Sequence, residues 1–197
     1  MKILGLLVIL LLSFQISAGA ASFQEIQQAA EEGEAWAQFN LGYSYESGAG
    51  VTKDLVQAIK WYTKAAEQGD VLAQFNLGLM YYKGEGVTKD PVQEIKWFAK
   101  AAEQGHPQAQ FNLGLMYYKG EGVTKDLVQA IKWYTKAAEQ GVSESQFNLG
   151  LMYYKGEGVT MNKIEAFNWW MKAAKRGHVD AQKNLDILCK ESPWACK

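Results

Sequence analysis

The stretch AQFNLGLMYYKGEGVTKDLVQAIKWYTKAAEQG, from Ala109 to Gly141, recurs along the chain at a fixed spacing of 36 residues. Copies open at Ala37, Ala73, Ala109 and Ser145, and a shortened fifth opens at Ala181. A constant period of this size marks a solenoid, in which each unit is one supersecondary element that buries its apolar face only against its neighbours. The period predicts units at 37–72, 73–108, 109–144 and 145–180.

Each unit reads as two helices and two turns. In the copy opening at Ala73, the segment AQFNLGLMYYK holds no proline and puts Ala73, Leu77, Met80 and Tyr81 on one helical face. Gly84 and Gly86 then stop this first helix (helix A), because glycine supplies the positive φ of a C-cap and tight turn. Asp90 is the predicted N-cap of the second helix (helix B), with Pro91 at the first helical position and Gln93 spaced for a capping box. Helix B continues through Val92, Ile95, Trp97, Phe98, Ala101 and Ala102 to Gly105. One glycine recurs inside helix A, as Gly42, Gly78, Gly114 and Gly150. It costs roughly 0.5–1 kcal/mol there relative to alanine. The expected compensation is close approach of helix B through its small pairs, Ala65-Ala66, Ala101-Ala102, Ala137-Ala138 and Ala173-Ala174.

The positions that repeat most strictly are Ala109, Leu113-Gly114, Tyr117, Gly120, Gly122-Val123, Asp126, Ala130, Trp133, Ala137-Ala138 and Gly141. This pattern resembles the Sel1-like repeat, a relative of the tetratricopeptide repeat, over nearly all of the chain after residue 34. The resemblance implies an all-α fold, a right-handed α/α superhelical solenoid of helix-turn-helix repeats. It also implies use as an interaction scaffold, often in signalling or secreted bacterial proteins. Two departures stand out. Glu94 occupies the place of Ala58, Ala130 and Ala166, where it is expected to tilt helix B or to sit at an edge. Asn162 replaces the aspartate cap, a substitution that capping tolerates.

The ends read as caps. Residues 1–20 form a predicted secretory signal peptide, with Lys2, an apolar run from Ile3 to Leu12, and the small-x-small cleavage pattern Ala18-Gly19-Ala20. That run is shorter than the ~20 residues that cross a bilayer, so no membrane span is expected after cleavage. Residues 21–36 carry a half-repeat, in which Ala29-Ala30-Glu31-Glu32-Gly33 matches Ala65-Ala66-Glu67-Gln68-Gly69. Residues 181–197 form the opposite cap, where Lys183 replaces the recurring phenylalanine and Asp186 the helix A glycine. Cys189 and Cys196 both lie in this cap, and in an exported chain an even cysteine count reads best as a disulfide. The predicted location is therefore periplasmic or secreted, in a bacterium.

At 48% hydrophobic and 21% charged residues, with a formal net charge of −1, the composition is globular and carries no basic stripe. Nucleic acid is not an expected partner, because phosphate neutralisation needs clustered Lys and Arg. No catalytic constellation, metal motif or cofactor motif is found. His106 and His178 fall in the turn after helix B, where Asp70 and Val142 stand in the other units, and are read as solvated turn residues. The G-x-G pairs are read as turn glycines, with no strand before them to make a phosphate loop.

What remains is surface. The second face of helix A repeats as Phe75, Asn76, Leu79, Tyr82 and Lys83, then Phe111, Asn112, Leu115, Tyr118 and Lys119, then Phe147, Asn148, Leu151, Tyr154 and Lys155. If helix A lines the concave side, as in tetratricopeptide repeats, these residues build a groove for a protein or peptide, with aromatic anchors and Asn/Lys donors. The structural alternative packs Phe and Leu between adjacent A helices and ties Asn to a neighbouring turn; Phe and Asn fit it better, while the tyrosines and lysines fit the surface. The leading reading is a non-enzymatic, exported interaction scaffold, taken as a monomer. Two alternatives stay open: a secreted factor acting on host cells, or a β-lactam- or cell-wall-peptide-directed enzyme. The latter rests only on the resemblance to secreted Sel1-like repeat proteins described in that way.

Overall fold

A computed structural model describes residues 22–196, and the predicted signal segment, Met1–Ala20, lies outside them. Ten helices follow one another: α1 (Phe23–Glu31), α2 (Ala35–Ser47), α3 (Leu55–Glu67), α4 (Val71–Lys83), α5 (Pro91–Glu103), α6 (Pro107–Lys119), α7 (Leu127–Glu139), α8 (Ser143–Lys155), α9 (Lys163–Lys175) and α10 (Val179–Glu191). A short 3-10 turn, Pro193–Cys196, closes the order, and no strand occurs among the described residues. The chain is an all-α solenoid, as its period predicts. Helices α2, α4, α6 and α8 are the A helices and α3, α5, α7 and α9 the B helices. Each A helix opens two residues ahead of the unit counted from the sequence, because its N-cap is the residue after the glycine that ends the previous B helix.

Asp54, Asp90, Asp126 and Asn162 cap the B helices, each side chain accepting from two N–H groups of the first turn. The reciprocal half of the expected capping box does not form at α5. The Asp90 N–H is instead donated to the Tyr81 carbonyl across the turn, as are its counterparts to Tyr45, Tyr117 and Tyr153. Among the described residues a complete box forms only at α1, between Ser22 and Glu25. The second glycine of the G-x-G turn has a packing reason as well as a positive φ: a Cβ on Gly86 would lie 2.7 Å from the Leu55 side chain, on the preceding B helix.

The glycine inside helix A corrects the sequence expectation. A Cβ on Gly78 would lie 2.5 Å from the Phe98 ring, and one on Gly114 2.7 Å from the Tyr134 ring. Tyr62 and Trp170 fill the same place against Gly42 and Gly150. The glycine therefore receives an aromatic ring of its own repeat's B helix, not the alanine pair. The alanines serve the next joint. Ala65 and Ala66 pack with Ala73, Leu77 and Trp97 of the following repeat, and Ala101 and Ala102 with Ala109, Leu113 and Trp133. Lys64, Lys100, Lys136 and Lys172 lay their ammonium groups 3.9–5.0 Å from the tryptophan ring centroids, closing the outer edge of each joint.

A buried glutamine of each A helix, joined by an exposed one at the end of the following B helix, runs along the same joints. Gln74 of α4 donates to the Ala66 carbonyl (3.0 Å), and Gln104, at the end of α5, donates to Gly69 (3.0 Å) and to Gln74 Oε1 (2.8 Å). Gln38 with Gln68, and Gln110 with Gln140, repeat the arrangement. The series breaks at the fourth repeat, where Arg176 stands in the place of the second glutamine and leaves Gln146 Oε1 buried without a partner. A buried acceptor left unpaired costs about 1–3 kcal/mol.

Ala30 of α1 is buried with Ala37, Leu41 and Trp61, while Lys183 and Asp186 of α10 face solvent. Cys189 and Cys196 form a disulfide with Cα atoms 5.7 Å apart, folding the terminal turn back onto α10.

Two stability outcomes follow from this packing. Gly114→Leu should destabilise more than Leu115→Ala, because Tyr134 is 1% exposed and cannot yield to a side chain built into it. Overpacking there costs about 1–3 kcal/mol or more, whereas half-buried Leu115 should fall below the 2–5 kcal/mol of a core leucine. The reverse order in denaturant melts would mean the Tyr134 ring swings aside. Arg176→Gln should complete the glutamine series and raise stability by about 1 kcal/mol, or about 2–4 °C in Tm for a chain of this size. An unchanged or lower Tm would show that Arg176 already serves the joint.

Candidate interaction face

The second face of helix A is a row of joints between neighbouring A helices. Phe75 is half-buried, its ring 5.8 Å from Phe98 and stacked at 4.3 Å on His106 of the next repeat. Phe147 stacks on His178 in the same way, at 4.4 Å, and Phe111 lies 5.9 Å from Tyr134. The phenylalanines thus pack within the array, as the structural alternative has it. The histidines are more than solvated turn residues: Nδ1 of His106 and of His178 accept the N–H of Ala109 and Ala181, capping α6 and α10, and burial holds the His106 imidazole below its usual pKa.

The other residues of the face come together at three cavities that follow the repeat. One, of about 260 Å³, lies between α4 and α6, with Leu79 and Tyr82 on one wall, Asn112 and Leu115 on the other, Phe98 beneath, and Glu94 also in the wall. The second, about 140 Å³, lies between α6 and α8 over Tyr134, with Leu115, Tyr118, Asn148 and Leu151 around it. The third, about 260 Å³, lies between α8 and α10 over Trp170, with Leu151, Tyr154, Asn184 and Ile187. Each has apolar walls, an amide from the later repeat, and at its rim a lysine: Lys119 at the first two and Lys155 at the third. Lys83, Lys119 and Lys155 pair loosely with Glu85, Glu121 and Glu157 at 3.5–3.7 Å, exposed contacts that add little to stability.

The three tyrosines are not equivalent. Tyr118 donates its hydroxyl to Glu157 of the next repeat (3.0 Å) and Tyr154 to Glu191 of the terminal cap (2.9 Å). These hydrogen bonds to carboxylates hold both phenols above their usual pKa. Tyr82 makes no such bond among the described residues and is 56% exposed. In the first repeat Glu46 stands at this position, where it accepts the buried Tyr62 hydroxyl at 2.5 Å. Two tyrosines therefore latch neighbouring repeats together, and Tyr82 alone of the three is open.

Sequence reading missed the floor of the cavities. Phe98, Tyr134 and Trp170 were legible as apolar helix B positions, yet nothing in their spacing says that they reach under the A helices. The structure corrects the expectation of an edge position for Glu94. It does not sit at an edge: it is 7% exposed, in the wall of the cavity between α4 and α6. Burial, with the like charge of Glu121 nearby, pushes its carboxyl up to about 7, and Lys119 offsets this only in part.

Comparison with known proteins agrees with the repeat fold. The Sel1 repeat matches residues 37–70, 71–106, 107–142 and 143–178. The chain belongs to the Sel1 repeat family. Sel1 repeats mediate protein–protein interaction. The structure is similar to that of c5321, a protective antigen of uropathogenic Escherichia coli with the same repeat fold, at 44% identity and a TM-score of 0.82 over 87% of this chain and 37% of that one. A Sel1 repeat protein from Oxalobacter formigenes is similar at 40% identity and a TM-score of 0.71, over 83% of this chain and 65% of that one. A segment of 46 residues is 46% identical to the secretory immunoglobulin A-binding protein EsiB of E. coli, over 23% of this chain and 9% of that protein. The chain thus spans well under half the length of the E. coli relatives.

The buried carboxyl of this Sel1 repeat protein makes stability depend on pH. The folded state holds the Glu94 proton more tightly than the unfolded state, whose carboxyl titrates near 4.5. Its stabilising contribution is complete below that value and is lost as pH rises through about 7. The stability difference between Glu94→Gln and wild type should widen in favour of glutamine between pH 4.5 and pH 8. A difference independent of pH in urea titrations would mean the carboxyl ionises in its ordinary range.

Proposed function

We propose that this Sel1 repeat chain is an exported scaffold whose A-helix face forms a concave groove that binds an extended or helical segment of a protein partner. The observation that carries the reading is the register of three cavities, one at each joint from the second repeat onward, all built from the same Leu, Tyr and Asn positions, with a lysine at each rim. A partner side chain entering each would meet an aromatic floor for contact area and a polar rim for orientation. Export is supported by the disulfide, which persists in oxidising compartments, and by the signal pattern of Met1–Ala20. The immunoglobulin-binding name of EsiB favours a partner outside the cell, which would make the chain a host-directed factor.

Crosslinked capture from the cell envelope or from host secretions should yield a partner whose affinity can then be measured on variants. Tyr82→Ala is expected to weaken binding about tenfold to thirtyfold with circular dichroism and Tm unchanged. Tyr118→Ala and Tyr154→Ala should also lower Tm, because each cuts a latch between repeats. Unaltered affinity in Tyr82→Ala and Leu115→Ala would remove the groove, and the outer face of the B helices, with its exposed row Val56, Val92, Val128 and Ile164, would replace it.

A further inference from the structure

The joint between the second and third repeats differs from the others in three ways, and all three concern the same cavity. Its wall carries a carboxylate, Glu94, where the other repeats have Ala58, Ala130 and Ala166. Glu94 as a residue is more than nine-tenths buried, and its carboxylate has no hydrogen-bond partner among the described residues. The phenol that closes the next two joints is open here, since the counterpart of the Tyr118–Glu157 bond would join Tyr82 to Glu121, and it is not made. A buried carboxylate without a partner costs several kcal/mol unless it is protonated or met by a cation.

From this we infer that the cavity between α4 and α6 is a receptor for one lysine or arginine side chain of the partner. The inference rests on the reading of this face as the binding groove, and it names what that groove selects. The chemistry of the site is divided as such a side chain requires. Leu79, Phe98, Phe111 and Leu115 make an apolar sleeve for the aliphatic stem, and two of its members are aromatic, a side-chain type that attracts a cation. Glu94 in the wall and Glu121 at the rim supply two negative charges. The charged groups that face Glu94 are Glu121 and Lys119, both of the third repeat, so the site carries a net charge of −1 when Glu94 is ionised. Lys119, exposed and 3.5 Å from Glu121, competes for the rim without filling the cavity. The neighbouring cavities lack a counterpart of Glu94, because Ala130 and Ala166 stand in its place. They are expected to take apolar or aromatic side chains, which gives the groove one charged reading point and fixes the register of the bound segment.

The test uses the chain from residue 22 onward with its disulfide intact, and n-butylammonium and n-butylguanidinium chloride as probes. n-Butanol serves as the neutral control, at matched ionic strength and pH 8. Saturable shifts are expected in the Phe98 and Phe111 ring signals and in the Glu94 carboxyl carbon, with affinity at least tenfold weaker in Glu94→Gln. Lowering the pH to 5 should weaken probe binding to wild type and leave Glu94→Gln unaffected. Lys119→Ala should bind more tightly. Glu94→Ala, which restores the residue of the other repeats, guards against misfolding and should bind as weakly as the glutamine variant. Butanol binding as well as butylammonium, or a glutamine variant that binds the cations unchanged, would overturn the inference. The two readings can fail separately. A partner lost on Tyr82→Ala but indifferent to Glu94→Gln removes the cation receptor and keeps the groove. Probes that need Glu94, on a chain whose partner ignores both Tyr82→Ala and Leu115→Ala, keep the receptor and remove the groove.

Discussion

The tryptophan of each B helix packs over the alanine pair of the repeat before it, and the array depends on that contact. Trp97 lies with Ala65 and Ala66, and Trp133 with Ala101 and Ala102. Two helices cannot enclose a core, so the apolar surface of one repeat is removed from water only when the next arrives. The small residues let the backbones come close, and the indole supplies the area; truncating a buried aromatic of this kind costs about 3–5 kcal/mol. Glutamines travel with the joint because close approach of the helices would otherwise strand the carbonyls at each helix end. Gln74 and Gln104 satisfy Ala66 and Gly69 and then each other.

Inside a repeat a different contact holds the helix pair, and it reaches the functional face. The glycine of helix A admits an aromatic ring of helix B so closely that the ring emerges beneath the A-helix surface. Phe98, Tyr134 and Trp170 are at once the packing of their repeats and the floors of the three cavities. Stability and recognition therefore share side chains at the floor and separate at the rim. The floor is fixed by packing, while the rim varies from joint to joint: closed by Tyr118 and Glu157 at one, open at Tyr82 at another. Near-identical repeats thus present unlike sites, because a joint combines residues from two units and each unit differs slightly.

The period, the two helices per unit, the aspartate caps and the glycine stops are all local, and the sequence by itself determined them. The cysteine pairing was equally legible, since the chain holds two cysteines seven residues apart. The contact made by the helix A glycine was not. Phe98, Ala101 and Ala102 are three and four residues apart and so share one helical face. Periodicity alone cannot tell which of them meets Gly78 and which meets the next repeat. Only the crossing of the helices assigns the ring to one and the alanines to the other.

The polar positions show the same limit. Glutamines near helix ends and a lone Glu94 look like solvated residues on their own helix, and Tyr82, Tyr118 and Tyr154 look alike. The bonds that distinguish the glutamines, Tyr118 and Tyr154 run to residues 30 to 39 positions away, and Glu94 is covered by residues of the neighbouring repeat. What only the tertiary structure decided is therefore everything that two repeats make together: the glutamine series, the tyrosine latches, the three cavities and the buried carboxylate in one of them. A solenoid writes its elements within one period, and its sites arise where two periods meet.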